Sequence, residues 1–210
     1  MRKQVILALS LLVAGAEPVL AQDVGLAGTL EARVRGVVVV PDPSATITSG
    51  GSAIGGKTSV SNSVVPEVDF TYFLTDNISA DLIAAVTRHT VSNSVTGRIA
   101  SVSLLPPTVT VLYHFDPNGP IRPYLGGGLN YTIYYDPTPV AGLKPISFSD
   151  NVGFALQGGV DVPVADGRYF LNLDIKKLFL NTGITAAGGV VHGKASLDPW
   201  LIGFGVGIRF

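Results

Sequence analysis

Three kinds of side chain in this 210-residue chain could do more than pack: its histidines, its serines, and charged residues that recur at alternate positions. His89, His114 and His192 fall in three separate segments, without the short spacings that bring imidazoles onto one metal ion. Cysteine is absent, which excludes thiolate ligands, a disulfide framework and a lipid-modified N-terminal cysteine. A serine nucleophile needs a base and an orienting acid within reach. Serines are too abundant here for any Ser–His pairing to single one out, and no GxSxG occurs. Gly203-x-Gly205-x-Gly207 lacks the spacing of a nucleotide loop and the helix that should follow one. Its period of two places the three glycines on one side of a strand. The expectation is no catalytic residue, no metal site and no cofactor.

The charged residues point elsewhere, to the elements that carry them. Glu31, Arg33 and Arg35 alternate with Ala32, Val34 and Gly36, which is the signature of a strand with two unlike faces. The last segment is the clearest case: Trp200, Ile202, Phe204, Val206, Ile208 and Phe210 share one face, and Leu201, Gly203, Gly205, Gly207 and Arg209 the other. The same alternation recurs at 64–72, 78–86, 109–115, 125–133, 152–162 and 169–179. These eight segments are long enough to cross a bilayer at a tilt. Their links alternate in length. Thr75–Asn77, Asp116–Pro120 and Ala165–Arg168 are tight and rich in Asp, Asn, Gly and Pro, whereas 41–63, 89–106, 136–150 and 181–196 are long loops in this reading. Short turns on one side and long loops on the other are the pattern of an outer-membrane barrel. The fold expected is therefore all-β, an eight-stranded antiparallel up-and-down transmembrane β-barrel.

Composition agrees. The chain is 47% hydrophobic and only 14% charged, against about 25% charged in an average soluble chain. No run approaches the ~18 apolar residues of a membrane helix, so a helical transporter is excluded. A net charge of −1 offers no basic surface for nucleic acid, and 14 scattered prolines exclude a long coiled coil. Arg2 and Lys3, a mostly apolar stretch from Val5 to Val13 and Val19-Leu20-Ala21 read as a secretory signal peptide over residues 1–21, leaving 22–210 as the barrel. A lipocalin-like soluble barrel also has eight strands, but it is apolar inside and polar outside. Here the charged face is also the face rich in glycine and alanine, which suits a narrow interior. The apolar face is edged by Tyr72, Tyr113, Phe115, Tyr131, Tyr135, Tyr169, Trp200 and Phe210, which suits lipid bordered by aromatic girdles.

Several motifs carry a family likeness. RPYLGGGLNYT (Arg122–Thr132), LPPT (Leu105–Thr108), GVDVP, LNLDIKKLFL and LDPWLIGFGVGIRF (Leu197–Phe210) resemble the OmpW family of outer-membrane proteins, over almost all of the chain from Gly28 onward. The resemblance implies a barrel in the outer membrane of a Gram-negative bacterium, among outer-membrane lipid and lipopolysaccharide, with both termini periplasmic. It also implies an interior pocket associated with small hydrophobic molecules, and a terminal Phe210 read by the barrel-assembly machinery. Tyr169-Phe170 stands where the family often has a Trp, so no gating Trp is carried over.

Strand direction assigns each lumen-facing residue a height. Glu31, Arg33, Arg35, Glu67, Asp69, Asp81, Asp161, Asp174, Lys176 and Arg209 fall low and in the middle. Four basic and six acidic groups in a narrow interior should pair, because unpaired buried charge is costly, and the paired set closes the lumen. Phe73, Leu112, Tyr124 and Phe170 fill the base. Higher up lie Val37, Val39, Val65, Ile83, Tyr134, Leu178, Leu180 and Leu201, an apolar cup expected to bind a small hydrophobic ligand. The function expected is a barrel that admits such molecules from outside; a structural or surface-recognition barrel and a lipid-modifying outer-membrane enzyme are the alternatives. Lys177 falls on the lipid-facing parity, either near the head groups or at a bulge that shifts the register.

Overall fold

The computed structural model describes residues 25–140, 142–164 and 167–210. The signal segment expected at 1–21 lies outside the described residues, as do positions 165 and 166 of the last short link. In chain order the strands are β1 (Leu30–Val40), β2 (Ser44–Ser49), β3 (Ser52–Ile54), β4 (Thr58–Val60), β5 (Ser63–Phe73), β6 (Ile78–Ala85), β7 (Thr87–Asn93) and β8 (Gly97–Leu105). They continue as β9 (Thr108–His114), β10 (Arg122–Pro139), β11 (Ile146–Phe148), β12 (Asn151–Val164), β13 (Tyr169–Phe179), β14 (Asn181–Ala186), β15 (Val191–Ser196) and β16 (Trp200–Arg209).

Eight of these strands close a barrel. β1, β5, β6, β9, β10, β12, β13 and β16 pair antiparallel in that order, and β16 returns to β1 through Arg33↔Gly207 and Val37↔Gly203. Closure leaves no unpaired edge in the barrel wall.

Above the barrel the sequence reading needs correcting. Three of the four stretches expected as long loops are largely strand, and the fourth, 136–150, holds the end of β10 and the short β11. β10 runs on past the rim to Pro139, where Ile133↔Leu105 and Tyr134↔Leu104 hold it to β8, and β8 continues the sheet to β7 and β4. Facing it, β11, β14, β15, β2 and β3 form a separate five-stranded sheet. The long links thus supply their own hydrogen-bond partners and build an upper storey of two sheets.

Burial settles which face is inside. Glu31, Asp69 and Asp174 are 0% exposed, while Phe154 and Phe204, on the opposite parity, are 68% and 61% exposed. A lipocalin-like barrel would show the reverse, so that alternative falls. The girdle residues Tyr72, Tyr113, Phe115, Tyr131, Tyr135, Tyr169, Trp200 and Phe210 are all exposed on the outer wall. Lys177 keeps the outward parity, and its pairings to β12 and β16 show no register shift, so there is no bulge. Its Nζ donates to the Asp198 carbonyl at 2.6 Å and lies 4.9 Å from the centre of the Trp200 ring, bent back to the rim.

Glycine makes room for the lumen contents. A Cβ at Gly207 would overlap the Phe170 ring, and one at Gly159 would overlap the Tyr124 hydroxyl. The bare positions on β12 and β16 therefore lie opposite the bulkiest lumen side chains.

Candidate functional site

The lumen charges converge into one buried lattice. Cross-strand register brings Arg33 opposite Asp69 and Arg35 opposite Glu67. The Arg33 guanidinium reaches Glu31 at 2.5 Å, Asp161 at 2.8 Å and Asp69 at 3.3 Å, and it also donates to Thr71. Arg35 pairs with Glu67 at 2.9 Å and with Asp69, donates to Asn172 Oδ1 at 2.7 Å and lies 3.8 Å from Asp174. Lys176 Nζ bridges Glu67 (2.8 Å) and Asp174 (2.6 Å), and Arg209 holds Glu31 at 2.7 Å. Asp81 has no cation partner among the described residues; it accepts from the Thr71 hydroxyl at 2.8 Å and from Gln157 Nε2 at 3.1 Å. Neutral groups thread the set together: the Tyr124 hydroxyl donates to Asp174 at 2.7 Å, and Asn172 Nδ2 donates to Asp161 at 2.7 Å. Taking so many charges out of water is tolerable only when nearly every lone pair and proton finds a partner.

Below the lattice, Phe73, Leu112, Tyr124 and Phe170 are all buried and pack the base. His114 sits among them, 4.6 Å from Phe73 and 5.6 Å from Tyr124 between ring centres. Its Nε2 lies 2.9 Å from the Ser79 hydroxyl. That pair has two members of a hydrolytic triad, but Ser79 is 0% exposed and, among the described residues, no carboxylate bonds the other ring nitrogen. It is a packed polar contact at the bottom of the barrel.

The lining changes character within two residues on four strands. On β1, Arg35 gives way to Val37; on β5, Glu67 to Val65; on β6, Asp81 to Ile83; on β13, Lys176 to Leu178. Above this level Val37, Val39, Val65, Ile83, Leu178, Leu180 and Leu201 surround an inner cavity of about 40 Å³, whose bottom is the Glu67–Lys176 ion pair. The sequence-derived cup residues therefore meet in one place, with one exception. Tyr134 lies beyond the barrel rim, where β10 bends onto β8, and faces a second, outer cavity of about 120 Å³ between the two upper sheets. Ile47, Val91, Val102, Ile146, Phe148 and Ile184 are among its walls, and the Tyr134 ring stacks on Phe148 at 5.9 Å. The two cavities adjoin at His89, Leu104 and Leu197, which line both.

Sequence reasoning missed these three junction residues, together with Pro41, Pro106 and Pro199 at the inner cavity's rim. His89, Leu104, Pro41 and Pro106 lie in stretches taken for loop, and Leu197 and Pro199 between the last long link and the last strand, where no alternation marked an inward face. The sparse placement of His89 among β-branched residues was the one available signal. Two groups of the upper storey have perturbed acidity. Burial lowers the pKa of His89 below its usual value, against the opposing effect of its bond to the Ser61 carbonyl. Burial also pushes the Tyr134 hydroxyl well up, with the Asp150 carboxylate adding to the effect. His192 lies exposed on β15, apart from both cavities. Among the described residues no group of three or more His, Cys, Asp or Glu side chains has the geometry to hold a metal ion.

A family model described as the OmpW family matches residues 26–210, nearly the whole described chain. The chain belongs to the OmpW family. Outer membrane protein W of Escherichia coli is 35% identical over 199 residues, covering 88% of this chain and 93% of that one. An outer-membrane protein of Sinorhizobium fredii is 42% identical over 183 residues, 85% of this chain and 78% of its own length. A protein of Pseudomonas aeruginosa named for a dibenzothiophene metabolism operon is 30% identical over 176 residues, 80% and 82% of the two chains. Among solved structures, the outer membrane protein OprG of Pseudomonas aeruginosa superposes with a TM-score of 0.83 at 26% identity, covering 89% of this chain and 97% of OprG. This OmpW-family chain is an outer-membrane β-barrel of the Gram-negative type.

Proposed function

We propose that this OmpW-family barrel admits small hydrophobic molecules at its upper end and holds them in the apolar upper lumen. The upper end faces the medium, the lower turns face the periplasm, and the charge lattice closes the floor, so a molecule held in the cup leaves by a path other than straight down. One observation carries the reading: a cavity walled by Val37, Val39, Val65, Ile83, Leu178, Leu180 and Leu201 stands directly on a floor of paired charges, where Glu67 holds both Arg35 and Lys176. An apolar recess kept open at that level, instead of being filled by larger side chains, is what a ligand site requires. The relative named for dibenzothiophene metabolism supports the same class of cargo.

Burying ~200 Å² of ligand surface at about 25 cal/mol per Å² gains ~5 kcal/mol before the entropy of immobilisation is subtracted. Affinities between micromolar and millimolar follow, which suits a carrier that must release its cargo. The test compares uptake of a hydrophobic tracer into liposomes containing wild-type or Leu180→Asp protein, each confirmed folded by heat-modifiable gel mobility. Wild type should exceed protein-free liposomes and Leu180→Asp should lose most of that excess. Equal uptake by the two proteins, or none above the protein-free control, favours a structural barrel instead.

A further inference from the structure

The junction between the two cavities is apolar except for one side chain. His89 projects from β7 and lines both cavities, with Leu104 and Leu197 as its fellows at the junction. Its Nδ1 lies 2.6 Å from the Ser61 carbonyl oxygen. A carbonyl can only accept, so the ring proton is on Nδ1 and the Nε2 lone pair is the acceptor that remains. No side chain or backbone group among the described residues donates to Nε2. Burial lowers the pKa of the ring and keeps it in this neutral form near pH 7. The junction between the upper sheets and the cup is thus apolar apart from a single hydrogen-bond acceptor, with Thr87 and Thr108 on the inner wall and Asn93 and Thr96 on the outer wall to either side of it.

We infer that His89 Nε2 selects for hydrophobic molecules bearing a hydroxyl, alcohols or phenols, by accepting their O–H while the hydrocarbon body lies in the adjoining apolar cavity. The inference rests on the proposed function above and narrows its cargo. A pure hydrocarbon passing this point strips water from Nε2 and gives nothing back, whereas an alcohol replaces the lost bond. The Tyr134 hydroxyl is buried beside Thr182 and closed off from the cavity, so it offers a guest no second partner. A hydroxylated guest therefore finds its acceptor at the junction, on a path lined mainly by apolar side chains such as Val60, Val91, Val102, Leu104 and Leu197, with Asn93 and Thr96 farther out on the outer wall.

The experiment uses the full barrel in lipid nanodiscs and a matched pair of probes, 1-octanol and 1-methoxyoctane. Both have an oxygen at the end of an eight-carbon chain, but only the alcohol has a proton to donate. Binding is titrated with protein-free nanodiscs subtracted for partitioning. Wild type should bind 1-octanol about 3- to 10-fold more tightly than the ether, the net value of one neutral hydrogen bond. In His89→Phe, which keeps an aromatic ring and removes the acceptor, the alcohol should fall to the level of the ether while ether binding persists. A second readout needs no variant: the ¹⁵N resonance of His89 Nε2 should move with 1-octanol and stay still with 1-methoxyoctane. Equal affinity of wild type for the two probes, or a preference that survives His89→Phe, overturns the inference and leaves the hydrophobic-cargo reading standing. If neither probe binds above protein-free nanodiscs, the cargo reading fails and this inference fails with it.

Discussion

Arg33 offers the sharpest test of how the floor is held. It is 1% exposed and faces three carboxylates, but these do not depend on it equally. In Arg33→Met, Glu31 keeps Arg209 at 2.7 Å and Asp69 keeps Arg35. Asp161 loses its ion-pair partner among the described residues and retains the Asn172 amide at 2.7 Å. Methionine preserves most of the packing against Tyr124 and Phe170, whose ring centres lie 5.6 Å and 5.2 Å from the guanidinium carbon. The dominant effect is one uncompensated buried carboxylate, which costs about 3–5 kcal/mol when a buried pair is broken by deleting one member. Adding Asp161→Asn removes that charge, so the double variant should recover part of the loss even though it has one fewer native group. The assay is denaturant unfolding in lipid vesicles, followed by the fluorescence of Trp200, the single tryptophan of the chain. An unchanged midpoint for Arg33→Met refutes the reasoning, and so does a double variant no more stable than the single one.

Three further outcomes follow from the geometry. Gly207→Leu should destabilise the barrel by about 1–3 kcal/mol, since its side chain must displace the Phe170 ring, and combining it with Phe170→Ala should return part of the stability in the same unfolding assay. Cysteines placed at the exposed positions Ser52, Val95 and Val190 should react with an impermeant maleimide on intact cells, and one at Asn118 only after the outer membrane is opened; the reverse pattern inverts the orientation. Because burial lowers the pKa of His89, the unfolded chain takes up the proton first. Its stabilising share in the upper sheets is therefore complete above the ordinary histidine value of about 6.5, and is lost as pH falls through that value toward the lower folded one. Amide exchange in β7 should accelerate at pH 5 relative to pH 7.5, and equal protection at both, after correction for intrinsic rates, counts against it.

The barrel was legible because a strand in a membrane wall stands between two solvents of opposite character. Lipid outside and a charged interior impose contrast at every second residue, so Glu31, Arg33 and Arg35 against Ala32, Val34 and Gly36 declare both the strand and its inner face. Height was legible as well, since chain direction orders residues along each strand. Hence residue order and strand direction suffice to put the switch from Arg35 to Val37 and the switch from Lys176 to Leu178 at one level.

The upper storey could not be read this way. β2 (SATITS), β14 (NTGITA) and β15 (VHGKAS) are small, polar or β-branched on both sides, and strands without facial contrast leave their register open. Their pairing is decided by the barrel beneath, which delivers β10, β13 and β16 to the rim at fixed positions and forces the connecting stretches to satisfy one another's backbone groups. Residues far apart in the chain, Leu104, Tyr134, Ile184 and Leu197, meet around the outer cavity only as a result. The sequence by itself determined which side of each barrel strand faces lipid. That His89 stands at the waist between two cavities was decided by the tertiary structure, because no local pattern specifies what two sheets will enclose when they close over a barrel mouth.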